Sequence, residues 1–215
     1  MKIFIDSGNI KDIETLVAIG IIDGVTTNPT LLAKEPGDYR ANLKKICQIV
    51  KGPVSGEVTA TDFAGMIVQG HDIAKIDEHM IVKVPLTRDG IKACKSLSGE
   101  GIRVNVTLCF SAAQAIVAAK AGAAFISPFI GRLDDIGENG LVLLQDIIEI
   151  YRNYAWKTEV LAASMRHPIH VIEAARLGAD IATIPFKVID QLFNHPLTDK
   201  GQAQFLADWA KRGTK

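Results

Sequence analysis

One lysine stands in surroundings that lysines usually avoid. Lys83 lies in the run Met80-Ile-Val-Lys-Val-Pro-Leu86, with three apolar residues on either side. A side chain so placed does not easily reach water, and desolvation favours a neutral amine over an ammonium. A neutral amine attacks carbonyls and forms a Schiff base. The other reading is a structural lysine paired with a buried carboxylate, Asp6 or Glu57, because structural ion pairs also involve buried charge. Asp6 and Glu57 are the only acidic residues expected inside strands, and either can act as the general acid or base that imine chemistry needs at several steps. Arg132 in Phe129-Ile-Gly-Arg-Leu133 and Arg166 in Ala163-Ser-Met-Arg-His-Pro168 add two guanidinium forks. Each one alone reads as a solvated loop arginine. Two of them near a buried lysine point to an anionic sugar phosphate.

These groups need a scaffold that brings them to one place. Eight short runs rich in β-branched residues recur along the chain, at 3–6, 25–28, 54–58, 81–86, 104–108, 125–130, 160–164 and 181–186. The segments between them carry helical spacing, as in Leu43, Ile46, Cys47 and Val50 or Ala115, Ala118, Ala119 and Gly122. Eight strand-helix units without a linker or composition break predict an α/β fold, a single (β/α)8 TIM barrel domain over residues 1–215. An open doubly wound sheet is the alternative, but it usually carries a nucleotide loop. Gly99-Glu-Gly101 lacks the third glycine and precedes a strand rather than a helix. Residues 198–212 read as a C-terminal amphipathic helix with Phe205, Leu206 and Trp209, either a lid on the outside of the barrel or a subunit contact.

A barrel buries both faces of its strands and builds its active site at their C-terminal ends, where polar residues gather in this chain. Asp6 closes the first run, Thr26 and Asn28 the second; Ser55 and Glu57 lie near the end of the third, Asn105 and Thr107 mark the fifth, Ser127 the sixth and Ser164 the seventh. The pairs 26/28, 55/57 and 105/107 are two residues apart, so each pair shares a face of its strand. If those faces point inward, they form a polar cup at one mouth. Any single one of these residues is a plain cap or turn residue by default; several strands doing the same is the informative pattern.

Composition narrows the classes. Of 215 residues, 24 are Lys or Arg and 24 Asp or Glu, so the formal net charge is zero, which argues against nucleic acid or an anionic membrane as a partner. The hydrophobic share of 48% and charged share of 22% suit a folded globular chain rather than a disordered one. No apolar run has the length of a secretory or membrane-spanning segment, and Cys47, Cys94 and Cys109 form no Cys-x-x-Cys pair, so a reduced, cytoplasmic setting is expected. His167 and His170 have metal-ligand spacing but no evident third ligand, and Pro168 is expected to start a helix between them, which favours capping or surface placement. Asp134, Asp135 and Glu138 fit the N-terminal dipole of a following helix. Cys109, between Leu108 and Phe110, reads as a buried, inert thiol.

Longer stretches carry a family likeness. Asp23-Gly-Val-Thr-Thr-Asn-Pro-Thr30 resembles the first transaldolase signature, and residues 81–107 resemble the second, which contains the Schiff-base lysine. The likeness continues through Ser127-Pro-Phe-Ile-Gly-Arg-Leu-Asp-Asp-Ile-Gly137, Ala162-Ala-Ser-Met-Arg-His-Pro168 and His195-Pro-Leu-Thr-Asp-Lys-Gly201, so it spans essentially the whole chain. The short length is similar to the small transaldolase subfamily, which also includes fructose 6-phosphate aldolases.

The resemblance implies that Lys83 forms an imine with the C2 carbonyl of a ketose phosphate, that Asp6 takes the C4 hydroxyl proton, and that Glu57 and Thr107 hold a proton-shuttling water. It also implies that Asn28 and Asn105 bind hydroxyls, that Thr26, Ser55 and Ser127 line the pocket, and that Arg132, Ser164 and Arg166 bind phosphate. The implied reaction moves a dihydroxyacetone unit from sedoheptulose 7-phosphate to glyceraldehyde 3-phosphate in the pentose phosphate pathway, without a metal or organic cofactor. Small family members form homo-oligomers, typically decamers of two pentamers. Glu57 and Phe129 replace a glutamine and a tyrosine of the fructose 6-phosphate aldolases, which favours transfer over aldol cleavage. Fructose 6-phosphate aldolase activity is the alternative within the family. A noncatalytic sugar-phosphate-binding barrel is the alternative from another class, disfavoured by the joint presence of Asp6, Glu57, Lys83 and Thr107.

Overall fold

The computed structural model describes residues 1–214; Lys215, the last residue of the expected domain, lies outside the described residues. The elements follow in the order β1 (Lys2–Asp6), α1 (Ile10–Ile19), β2 (Gly24–Thr26), α2 (Pro29–Leu32), α3 (Tyr39–Val50), β3 (Val54–Glu57), α4 (Phe63–Ala74), β4 (Met80–Pro85), α5 (Arg88–Gly99), β5 (Val104–Cys109), α6 (Ala112–Ala121), β6 (Phe125–Pro128), α7 (Ile130–Asp134), α8 (Gly140–Asn153), β7 (Glu159–Ala162), α9 (Pro168–Leu177), β8 (Ile181–Ile184), α10 (Phe186–Gln191) and α11 (Pro196–Ala210), with a closing 3-10 turn at Lys211–Thr214. The eight strands pair in chain order, all parallel, and β8 returns to β1 to close the barrel.

Side-chain alternation sorts the strands into two apolar clusters. One face, with Ile5, Val25, Val54, Val82, Val104, Ile126, Val160 and Ala182, packs outward against the helices. The other places Phe4, Ile81, Phe125, Leu161 and Ile181 together inside the barrel, with no helix residue among them. Phe4 and Phe125 meet edge to face at 6.2 Å. Gly24, paired with Phe4, is the concession to that ring: a Cβ there would stand 2.6 Å from it.

The helices start at side-chain caps, among them Asn9, Asp38, Asp62, Thr87 and Ser111, each accepting from a backbone N–H in the first turn. Gly20, Gly122 and Gly178 end α1, α6 and α9 in the left-handed conformation that glycine adopts without penalty.

Several expected boundaries move. β2, β6, β7 and β8 end two residues before the expected positions, so Asn28 becomes the cap of α2, and Ser164 sits beyond β7 in a left-handed turn at φ 61°. β7 begins at Glu159, a third acidic strand residue beside Asp6 and Glu57. It lies at the barrel's other end, where it takes a 2.7 Å bond from Lys2. The expected C-terminal helix is present as α11, beginning and ending two residues earlier than 198–212, and none of its residues is buried; Phe205, Leu206 and Trp209 are exposed, so it is not a lid on this barrel. No helix among the described residues is long and apolar enough to cross a membrane.

Candidate active site

One step up each strand from the apolar plug, the interior turns polar. Ile81 is followed on its face by Lys83, Phe4 by Asp6, Phe125 by Ser127 and Ile181 by Thr183. The strand register brings these residues level: Asp6 pairs with Thr26, Thr26 with Ser55, Glu57 with Lys83, and Lys83 with Asn105. The expected inward-facing cup at one mouth is therefore present.

Lys83 is 4% exposed. Its Nζ lies 3.0 Å from Glu57 Oε2 and donates to the Thr27 carbonyl oxygen at 3.1 Å. The lysine is thus paired with a carboxylate, as the structural reading expected, and it also stands in the wall of a cavity. Asp6 accepts from the Thr26 hydroxyl at 2.7 Å, and that hydroxyl also bonds Thr183 at 2.6 Å. Burial pushes the Asp6 carboxyl above the usual carboxylate range, while the Lys83 charge and the Thr26 hydroxyl pull it back without cancelling the effect.

The cavity holding Lys83 has a volume of about 250 Å³, and its wall includes Asp6, Thr26, Asn28, Ser127, Phe129, Arg132, Ser164, Arg166 and Thr183. Ser55, Asn105 and Thr107 lie outside this lining and are fully buried. The Asn105 amide donates to Ser55 Oγ at 3.3 Å and its carbonyl oxygen accepts from Ser127 Oγ at 2.7 Å, so a hydrogen-bonded chain runs from Ser55 through Asn105 to the pocket wall at Ser127. Thr107 Oγ1 is buried without a hydrogen-bond partner among the described residues. Glu57 faces a separate, larger cavity of about 510 Å³ beside α3 and α4, so the ion pair with Lys83 lies between two cavities.

At the rim, Phe129 carries the Arg132 guanidinium over its ring face at 4.9 Å and meets Phe110 edge-on. Arg132 projects from the short helix α7, which was not foreseen. Gly131 N–H bonds the Ser164 carbonyl oxygen at 3.1 Å, and a Cβ at Gly131 would stand 2.0 Å from that oxygen, so only glycine lets the two rim segments touch. Arg166 bonds Asp135 at 2.6 Å. Asn28 Oδ1 caps α2 through Leu31 N–H at 2.9 Å, which combines the capping and pocket readings in one residue.

Other readings are corrected or sharpened. His170, expected to cap or sit on the surface, is buried beneath the rim, while His167 is the exposed residue preceding α9 and makes no side-chain cap. Asp134 meets a helix start, as its charge suggested, through Gly140 N–H; it also contacts His170. Cys109 is buried and its thiol is pushed up to about 11 by burial, too high for a nucleophile. No group of three His, Cys, Asp or Glu residues among the described residues could hold a metal ion. Thr183 was missed, although a threonine inside the apolar run Ile181-Ala-Thr-Ile184 was a visible signal. The Thr27 carbonyl contact carries no side-chain signal at all.

The chain is similar to known proteins over nearly its whole length. The model of the Transaldolase/Fructose-6-phosphate aldolase family matches residues 3–214. A probable transaldolase of Kosmotoga olearia is 56% identical, covering 100% of this chain and 99% of its own. One from Anaeromyxobacter sp. strain K is 57% identical over 98% and 97% of the two chains, and one from Methanococcus maripaludis strain C5 is 55% identical over 97% of each. With a matching profile over nearly the whole chain and relatives more than half identical at full length, the chain belongs to the transaldolase/fructose-6-phosphate aldolase family.

Proposed function

We propose that the protein is a transaldolase, transferring a dihydroxyacetone unit from a ketose phosphate to an aldose phosphate through an imine on Lys83. The observation that carries the reading is the pairing of the buried Lys83 amine with Glu57 at 3.0 Å in a pocket that Asp6 also lines. The lysine must lose a proton before it attacks C2, and Glu57 is the adjacent group able to accept it. The same proton returns to the carbinolamine hydroxyl as that oxygen leaves as water. Thr107 Oγ1, buried with no protein partner among the described residues, is suited to orient that water.

The protonated imine then draws in the electron pair of the C3–C4 bond while Asp6 removes the C4 hydroxyl proton, releasing the aldose and leaving an enamine. A raised Asp6 pKa suits the task, since a carboxylate with a greater affinity for protons is a better base once ionised. The reverse sequence on a second aldose phosphate, followed by hydrolysis, frees the product. Arg132 and Arg166 at the rim would hold the phosphate, with Asp135 yielding its place on Arg166. The exposed apolar residues of α11 suit a contact with another copy of the chain in a pentamer or decamer.

Transfer rather than aldol cleavage is favoured by Phe129, which offers no hydroxyl at the pocket wall and is engaged with Arg132. The test is acceptor dependence. Fructose 6-phosphate with erythrose 4-phosphate should yield sedoheptulose 7-phosphate, and fructose 6-phosphate alone should release almost no dihydroxyacetone. Rapid release of free dihydroxyacetone without an acceptor would assign the aldolase activity instead.

A further inference from the structure

Beneath the rim lies a buried histidine that the reaction above does not use. His170 is 3% exposed, in the first turn of α9, with its ring against that of His167 at 3.9 Å between centroids. Its Nδ1 accepts the backbone N–H of Arg166 at 3.2 Å. A backbone N–H can only donate, so Nδ1 carries the lone pair and the proton of the neutral ring sits on Nε2. Nε2 faces Asp134 Oδ2 at 2.8 Å and donates to it. The other Asp134 oxygen accepts Gly140 N–H at the start of α8, at 3.0 Å, so the carboxylate is itself anchored. The neighbouring acid, Asp135, takes the Arg166 guanidinium. A single imidazole therefore ties the end of α7, the helix that carries Arg132, to the main chain of Arg166.

We infer that His170 is a positioning residue for phosphate recognition: it fixes the Arg166 backbone relative to α7, so that the two rim guanidiniums keep one spacing. The inference rests on the phosphate role proposed above for those arginines. A purely structural histidine, once removed, would weaken every substrate alike. A positioning residue weakens only those that carry phosphate, because bidentate recognition depends on orientation whereas imine formation below does not.

The test compares fructose 6-phosphate with dihydroxyacetone, which lacks phosphate, by the concentration that gives half-maximal borohydride trapping at Lys83. His170→Leu should raise this concentration for fructose 6-phosphate about tenfold and for dihydroxyacetone less than about twofold, with kcat at saturating fructose 6-phosphate within about threefold. His170→Asn, whose side-chain oxygen can still accept Arg166 N–H, should recover most of the loss. Asp134→Asn, at a partly exposed partner, should show a smaller shift in the same direction and carries the test if the leucine variant does not fold. Unchanged half-saturation for fructose 6-phosphate, or equal weakening of both compounds, would overturn the inference. Arg166→Ala separates the levels. If it leaves fructose 6-phosphate unaffected, the phosphate reading itself fails; if it weakens fructose 6-phosphate while His170→Leu does not, only the positioning role fails.

Discussion

Two residues along a strand separate the floor of the barrel from its mouth: Phe4 gives way to Asp6, Ile81 to Lys83, Phe125 to Ser127 and Ile181 to Thr183. The floor is apolar, and its side chains are held by packing. The mouth contains a buried ion pair, a carboxylate that burial penalises, and a threonine hydroxyl with no protein partner among the described residues. Taking charges out of water costs more than apolar packing of the same volume, so residues of the second kind are poor choices for stability. The difference teaches that the floor is built for the fold while the mouth carries the groups that the proposed chemistry needs, although both share the same strands and the same alternation.

Asp6→Asn breaks the comparison most sharply. The amide can still accept the Thr26 hydroxyl but cannot remove a proton, so kcat for transfer should fall about 10²- to 10⁴-fold. Stability should move the other way. A carboxyl whose folded pKa is raised above its unfolded value favours the fold only where it is protonated, and weighs against it as pH rises through the folded value. At neutral pH the asparagine removes that penalty, so the melting temperature should hold or rise. A clear loss of melting temperature with turnover retained would reverse the roles assigned to floor and mouth.

Phe4→Ala is the mirror experiment. Phe4 is fully buried against Phe125, and its loss should cost about 3–5 kcal/mol by denaturant titration. Turnover per folded molecule should stay within about threefold of the parent, since the alanine touches no group that handles protons. A large drop in kcat for the folded fraction would show that the two layers are not separable.

Thr26→Val gives the smallest effect and the finest test. The valine keeps the shape but removes the hydroxyl that holds the Asp6 pKa down, so the acid limb of the kcat profile should move to higher pH. At neutral pH the loss should remain below about tenfold. An acid limb that stays put would mean that Asp6 is not the base it reports.

The sequence made much of this division readable, for a physical reason. Parallel strands buried on both faces leave few ordinary places for Lys83, Asp6 or Glu57, so their positions single them out as site candidates. The same logic covered Thr26, Asn105 and Ser127, which alternate with the outward-facing Val25, Val104 and Ile126 in the barrel. Thr183 obeys it too, and required only that the eighth strand be read like the others. What was not readable depends on contacts across the chain. His170 and Asp134 are four and two residues from the rim arginines, yet local spacing cannot tell a surface histidine from one that bonds the Arg166 main chain. The strand ends were read too long at Asn28 and Ser164 because capping and a left-handed turn end a strand without changing its composition.

The central claim is that the Lys83 amine captures a ketose. The direct measurement is borohydride reduction in the presence of fructose 6-phosphate, followed by peptide mass analysis, beside the same treatment of Lys83→Arg. The account expects irreversible loss of activity and one three-carbon or six-carbon adduct on the peptide containing Lys83, with no adduct in the arginine variant. Full activity after reduction, or an adduct confined to another lysine, would contradict it.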